Sequence, residues 1–332
     1  MQLNRILVVG DHFVTPQLLT DALRDRLGAG VELPELTLPW PHTPFGPVAE
    51  VDEASGDEDE LIAALPGAQA VVTQMAPLTA RVLAAAEDLR LVVVCRGGPV
   101  NVNLKAAADR GVEVRTTPGR NAVAAAEHTV ALLLAALRRV PDTDAGVRAG
   151  QWRSDLYALD AVGSELAGST VGLVGYGAIG RRVGRILRAF DAEVLVHDPY
   201  ADPATLDGAE SVGLDDLLRR SSVLSLHARL TPDTTGMIGA AELARLPRGA
   251  VLVNTARGGL LDYDAAVDAL QAGHLGAAAF DVFDAEPIPA DSRLRTAPRT
   301  VLTPHLAGAT RQTAERAATL AADEVLAYLG RR

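Results

Sequence analysis

Three stretches late in the chain carry side chains suited to one kind of chemistry: "VNTARGGLLD" with Arg257, "FDVFDAEPIP" with Glu286 and "LTPHLAG" with His305. A planar arginine fork, a carboxylate and an imidazole are residue types that suit the reduction of a 2-oxo acid. Singly, each has a bland reading. Arg257 could be a surface arginine, Glu286 a carboxylate opening a helix before Pro287, and His305 a loop histidine satisfied by a carbonyl. Their shared setting separates them from that background, because each lies at or just past the end of an expected strand, where open α/β sheets place their ligands. His12, His42, His128 and His274 lack such a setting and read as structural.

Such a reduction needs a hydride donor, and "TVGLVGYGAIGRRVGRI", residues 170–186, reads as a strand, a glycine turn and a helix. Gly175, Gly177 and Gly180 form G-x-G-x-x-G. The first glycine permits the tight turn, the second lets the backbone approach a pyrophosphate, and the third lets helix and strand pack closely. Phosphates would sit at the helix N-terminus, where free N–H groups and the positive end of the helix dipole favour an anion. Asp198 ends the next strand, "AEVLVHDPY", 18 residues after Gly180. A carboxylate there can accept bonds from both ribose hydroxyls and repel a 2′-phosphate, so NAD is expected in preference to NADP. Arg182 and Arg229 are nearby cations that could accommodate such a phosphate.

The elements that must position these residues alternate. Short β-branched runs and alanine- and leucine-rich helical stretches succeed one another along the chain, which argues for an α/β protein with parallel sheets covered by helices. "RILVVG", "AQAVVTQ", "LRLVVVC" and "GVEVRTT" are the strands expected before residue 117. After a long helix from about Asn121 to Val140 come "TVGLVG", "AEVLVHD", "SVLSLHA", "GAVLVNTA", "GAAAFDVF" and "RTVLTPH", and a helical segment closes the chain. "EVDEASGDEDE" holds seven acids in eleven residues and reads as a solvated loop or helix lead-in.

Composition narrows the partners. The chain has 332 residues, 48% of them hydrophobic, and a formal net charge of -11 without a basic block, so neither nucleic acid nor an anionic membrane surface is expected. Cys95 is the only cysteine, which excludes an internal disulfide, and no Cys/His cluster has zinc-site spacing, so no metal is expected. The first apolar run is too short for a signal peptide, and "AVAAAEHTVALLLAAL" is too short and too polar to span a bilayer, so a cytoplasmic protein is expected. No regulatory domain is expected after the closing helix.

On N-T-A-R-G, D-V-F-x-x-E-P and T-P-H-x-x-G, in that order after G-x-G-x-x-G, the chain resembles the D-isomer-specific 2-hydroxyacid dehydrogenase family, which includes phosphoglycerate, glyoxylate and hydroxypyruvate enzymes. The resemblance covers nearly the whole chain. It implies that Arg257 binds the substrate carboxylate and polarises the carbonyl. It implies that His305 is the acid and base at the carbonyl oxygen, and that Glu286 fixes its ring. Gly97 and Gly98 correspond to the loop whose backbone N–H groups bind the substrate carboxylate. Arg96, just before them, is a candidate reader of a second anionic group or a structural arginine. Asn101 and Asn103 stand where the family commonly has aspartates.

The resemblance further implies that Ala178, Ile179 and the backbone of Tyr176 lie along the pyrophosphate and nicotinamide ribose. Ala256 would touch the nicotinamide side, and Asp281 would accept from the nicotinamide amide. "SLHARLTPDT", with His227, would flank the adenosine, although Arg229 replaces a common proline. The implied architecture is two Rossmann-like doubly wound domains: an NAD-binding domain, 118–305, inserted into a flavodoxin-like substrate domain built from 1–117 and 306–332. Pro118 to Ala122 and Pro304 to Ala309 would be the crossovers, hinged about a cleft beside His305. The long apolar helix with Trp152 beyond it resembles the arm that pairs two NAD-binding domains, giving a homodimer. Formate- or phosphite-type oxidation on the same scaffold, and an NADH-responsive binding or corepressor module, stay open as alternatives.

Overall fold

The computed structural model describes residues 3–330, and the chain forms two compact units. One runs to Asn121 and resumes at Ala309; the other is Ala122–Gly308. Both breaks fall a few residues later than the 117/118 and 305/306 divisions expected above.

The first unit contains β1 (Ile6–Gly10), β2 (Glu35–Thr37), β3 (Gly46–Val48), β4 (Val51–Ala54), β5 (Ala70–Thr73), β6 (Leu91–Val94) and β7 (Glu113–Thr116). Five of them make a parallel sheet in the order β2-β1-β5-β6-β7, which is the flavodoxin-like winding. Its helices are α1 (Pro16–Leu27), α2 (Glu58–Ala64), α3 (Ala80–Ala85) and α4 (Leu104–Asp109). Each starts where the sequence supplies a side-chain cap, at Thr15, Asp57, Thr79 and Asn103, whose oxygens accept the orphan N–H groups of the first turn.

The second unit opens with α5 (Ala122–Leu137) and α6 (Val140–Arg148), followed by α7 (Ala178–Ala189), α8 (Leu214–Arg220), α9 (Ala240–Leu243) and α10 (Tyr263–Gln271). Its strands are β8 (Thr170–Val174), β9 (Glu193–His197), β10 (Glu210–Ser211), β11 (Val223–Leu226), β12 (Ala250–Asn254), β13 (Leu275–Phe280) and β14 (Thr300–Leu302). They are all parallel, in the order β10-β9-β8-β11-β12-β13-β14: the dinucleotide winding with a seventh strand added at one edge. Helices cover both faces, so β11 and β12 are buried along their whole length, and their sequences are correspondingly apolar. α5, apolar almost all round, packs on α7, β12 and β13. The last helix, α11 (Arg311–Gly330), returns to the first unit, where Ala317, Ala321 and Val325 join Leu19 and Leu23 of α1 in one core.

The expected strands form, but β2, β3, β4 and β10 were not anticipated. They are two to four residues long, and β2 and β10 lie at sheet edges, so side-chain alternation gives little signal. The end of the acidic segment is the helix lead-in expected above, while its start is a strand rather than a solvated loop. Val51–Ala54 is a strand of the β3–β4 hairpin, Asp57 caps α2, and Glu50 accepts from Ala80 N at 2.6 Å and from Asn103 Nδ2 at 2.7 Å. Among the described residues no helix is long and apolar enough to cross a membrane.

Candidate active site

The glycine turn sits where the second sheet changes direction, between β8 and β11. Gly175 has φ +96°, and a Cβ there would lie 2.5 Å from Ala228 N. A Cβ on Gly180 would lie 2.4 Å from Gly175 O. Side chains are therefore excluded by backbone at both positions. Gly177 differs, since a Cβ there would meet nothing within 4 Å, and it precedes α7 without any side-chain cap. Open space beside an uncapped helix N-terminus fits a pyrophosphate. Asp198 Oδ2 accepts from Tyr176 N at 2.7 Å and Oδ1 from Tyr200 N at 2.9 Å, so the carboxylate is fixed at the end of β9 with lone pairs left over. Ala178 is exposed and Ile179 half-buried on the first turn of α7. After β11, desolvation pushes the His227 imidazole down to about 4, and the neutral ring meets Ser225 Oγ at 2.9 Å.

The residues suited to chemistry lie beyond β12, β13 and β14. Asn254, fully buried at the end of β12, donates from Nδ2 to Arg257 O at 3.0 Å and accepts from Ala256 N at 3.1 Å. This closes the N-T-A-R turn and leaves the Arg257 side chain exposed, with Nη1 on Ala256 O at 2.7 Å. Tyr263 OH accepts from Asn254 Nδ2 at 3.2 Å and donates to Val282 O, joining that turn to the loop after β13. In that loop Glu286 Oε1 accepts from Phe283 N at 2.9 Å, and Oε2 meets His305 Nδ1 at 2.7 Å. Glu286 therefore holds the Nδ1–H form of the ring, and Nε2 is left to exchange a proton with a ligand. Asp281, fully buried, accepts from Leu306 N at 2.8 Å and Ala307 N at 2.7 Å. Burial raises its pKa, but bonds from His128, Thr303, Ala307 and Leu306 outweigh that and hold it below the usual carboxylate value.

Asn254, Tyr263 and Thr303 were missed by sequence reasoning; of the three only Asn254 carries a local signal, a polar side chain ending an apolar strand. Close packing adds a prediction. A Cβ on Gly258 would lie 1.9 Å from Phe283 O, so Gly258→Ala must push the Arg257 turn off the loop that carries Glu286. We expect a loss of about 1–3 kcal/mol in urea unfolding, with activity falling further than folded fraction; unchanged stability would refute this packing.

In the first unit, Gly97 is exposed and Gly98 half-buried in the loop after β6. Arg96 is already engaged: its guanidinium pairs with Glu53 and reaches Glu53 O at 3.4 Å. Asn101 donates to Ala76 O at 2.8 Å, and Asn103 caps α4 and donates to Glu50, so both asparagines are engaged within the first unit. Burial pushes the Cys95 thiol up to about 12, which removes it from nucleophilic chemistry. Among the described residues no group of three or more His, Cys, Asp or Glu could hold a metal ion.

Fold and site together define a Rossmann-type dinucleotide-binding protein with an arginine turn and a paired glutamate and histidine on adjoining loops. Residues 130–307 match the family model of the D-isomer specific 2-hydroxyacid dehydrogenase NAD binding domain. The chain belongs to that family. It is 43% identical over 285 residues to the D-3-phosphoglycerate dehydrogenase of Mycobacterium bovis, covering 85% of this chain and 53% of the relative. To a glyoxylate reductase of Korarchaeum cryptofilum it is 38% identical over 280 residues, covering 83% and 84% of the two chains. A crystal structure of a Thermus thermophilus protein superposes with a TM-score of 0.82 at 35% identity, covering 98% of this chain and 97% of the other. The chain spans about half the length of the phosphoglycerate dehydrogenases it matches.

Proposed function

We propose that this chain is an NAD-dependent oxidoreductase acting between C2 of a D-2-hydroxy acid and the corresponding 2-oxo acid. The observation that carries this reading is the 2.7 Å contact between Glu286 Oε2 and His305 Nδ1, which leaves Nε2 as a proton donor and acceptor. Arg257 holds the substrate carboxylate and polarises its carbonyl with paired N–H donors. NADH, held at the glycine turn, would supply the hydride for the carbonyl carbon. His305 Nε2–H gives its proton to the carbonyl oxygen and takes it back in the oxidative direction, while Glu286 stabilises the charged ring. Gly97 and Gly98 offer backbone N–H groups to the carboxylate. Gly175, Gly177, Ala178, Ile179 and Gly180 would line the pyrophosphate, Asp198 would bind the ribose hydroxyls and favour NAD over NADP, and His227 and Ala256 would border the remaining cofactor, whereas Asp281, fully buried and bonded to Leu306, Ala307 and Thr303, serves the turn after β14 rather than the nicotinamide amide.

Two family members similar to this chain, the phosphoglycerate dehydrogenase and the glyoxylate reductase, differ by name in whether the substrate carries a phosphate. Arg96 argues against a second anion here, because Glu53 already neutralises it and a phosphate would have to displace that carboxylate. The test is NADH and NADPH consumption against glyoxylate, hydroxypyruvate, phosphohydroxypyruvate, pyruvate and bulkier 2-oxo acids. We expect NADH-dependent turnover with hydroxypyruvate or glyoxylate preferred over phosphohydroxypyruvate. Glu53→Gln should shift the ratio of kcat/KM values about tenfold toward the phosphorylated acid, the worth of one charge-assisted contact. An unmoved ratio would remove Arg96 from substrate selection; absence of turnover with every acid would overturn the dehydrogenase reading.

A homodimer through the NAD-binding units is part of the same proposal. α6 has no buried residue, and beyond it Trp152, Tyr157 and Leu159 are 85%, 90% and 94% exposed. Large apolar side chains exposed over one short segment mark an association surface. A sedimentation mass of a single chain would overturn it.

A further inference from the structure

We propose that His128 is a positioning residue: through Thr303 and Asp281 it fixes the turn that carries His305. The inference rests on the role of His305 proposed above and extends it to a side chain that reads as structural in the sequence.

His128 sits in the middle of α5, a helix whose other turns bury alanine, valine and leucine against the sheet. Its Nε2 lies 3.1 Å from Thr303 Oγ1 and 3.5 Å from Asp281 Oδ1. Thr303 Oγ1 in turn donates to Asp281 Oδ1 at 2.5 Å, so its lone pair is left to accept from His128 Nε2–H. The chain of bonds runs from α5 through the residue after β14 to the residue after β13. Asp281 then accepts the N–H groups of Leu306 and Ala307, and His305 N donates to Asp281 O at 2.8 Å and to Thr303 O at 3.0 Å. Both neighbours that hold His305 by its backbone are therefore the ones His128 touches.

The turn needs holding. His305 has φ +54°, a left-handed conformation that non-glycine residues keep only where the surroundings impose it. The hydrogen bonds to Asp281 impose it here, and they aim the ring at Glu286. A carboxylate buried with 0% of its side chain exposed needs every donor it has: Oδ1 takes Thr303 Oγ1–H and Leu306 N–H with His128 Nε2 3.5 Å away, and Oδ2 takes Ala307 N–H. The His128 ring keeps 25% of its side chain exposed, so filling space in the core is not its sole work.

His128→Leu removes the donor and His128→Gln keeps an N–H at a similar reach. We expect His128→Leu to lower kcat about tenfold with KM changed less than twofold, and to speed amide exchange at Leu306 and Ala307 relative to the rest of β13 and β14. His128→Gln should recover most of both. A kcat within twofold of the parent in His128→Leu, an equal loss in both variants, or a change confined to KM or to the melting temperature would overturn the proposal. The exchange measurement needs no substrate. If no 2-oxo acid is turned over by the parent chain, the functional reading fails, and exchange at Leu306 and Ala307 still decides this one: unchanged rates in His128→Leu refute it.

Discussion

Replacing His305 with asparagine is expected to lower kcat by about 10²–10⁴-fold while leaving NADH affinity within about twofold, the range for loss of a general acid and base. Asparagine is the informative substitution for structural reasons. It is among the few side chains that accept a positive φ readily, so the turn at φ +54° persists. Its amide N–H can stand where Nδ1 stands and keep the bond to Glu286 Oε2. What disappears is the imidazole to which the proposal assigns proton exchange with the carbonyl oxygen. The glycine turn and Asp198, to which the proposal assigns the cofactor, belong to other loops and stay intact. Stopped-flow and steady-state rates, with NADH titrated by its fluorescence, check the two halves separately. A variant that retains kcat within tenfold would show that some other group moves the proton.

Arg257→Gln should lower kcat/KM by about 10²–10³-fold, comparable to removing a donor from an oxyanion site. Lysine should not restore it, since a point charge cannot reproduce two parallel N–H donors on a carboxylate and its neighbouring carbonyl. The backbone of the turn is anchored independently by Asn254 on Arg257 O, and the guanidinium is exposed. Folding stability should therefore change by no more than about 0.5 kcal/mol, which separates this variant from Gly258→Ala next door. Full activity in Arg257→Lys would mean that charge alone, without the fork, binds the substrate.

Much of the scaffold was legible along the chain. β8, the glycine turn and α7 follow one another in a stretch where each residue's neighbours decide its conformation, and side-chain periodicity and turn chemistry are local properties. The catalytic candidates could be picked out because Arg257, Glu286 and His305 each end an identifiable strand, and parallel winding brings such ends to one edge.

Other features required the folded chain. Arg96 and Glu53 lie 43 positions apart, and nothing in "CRGG" says that a glutamate of an unanticipated hairpin will neutralise the arginine. His128 and Thr303 are 175 positions apart, and the histidine reads as one polar residue in an apolar helix until β14 is laid beside it. The sequence by itself determined ten of the strands, the glycine turn before α7 and the identities of the candidate catalytic groups, because those follow from short-range sterics and hydrophobic pattern. Only the tertiary structure decided which buried polar groups satisfy one another, because that pairing is a cost avoided in the packed state and has no counterpart in local sequence.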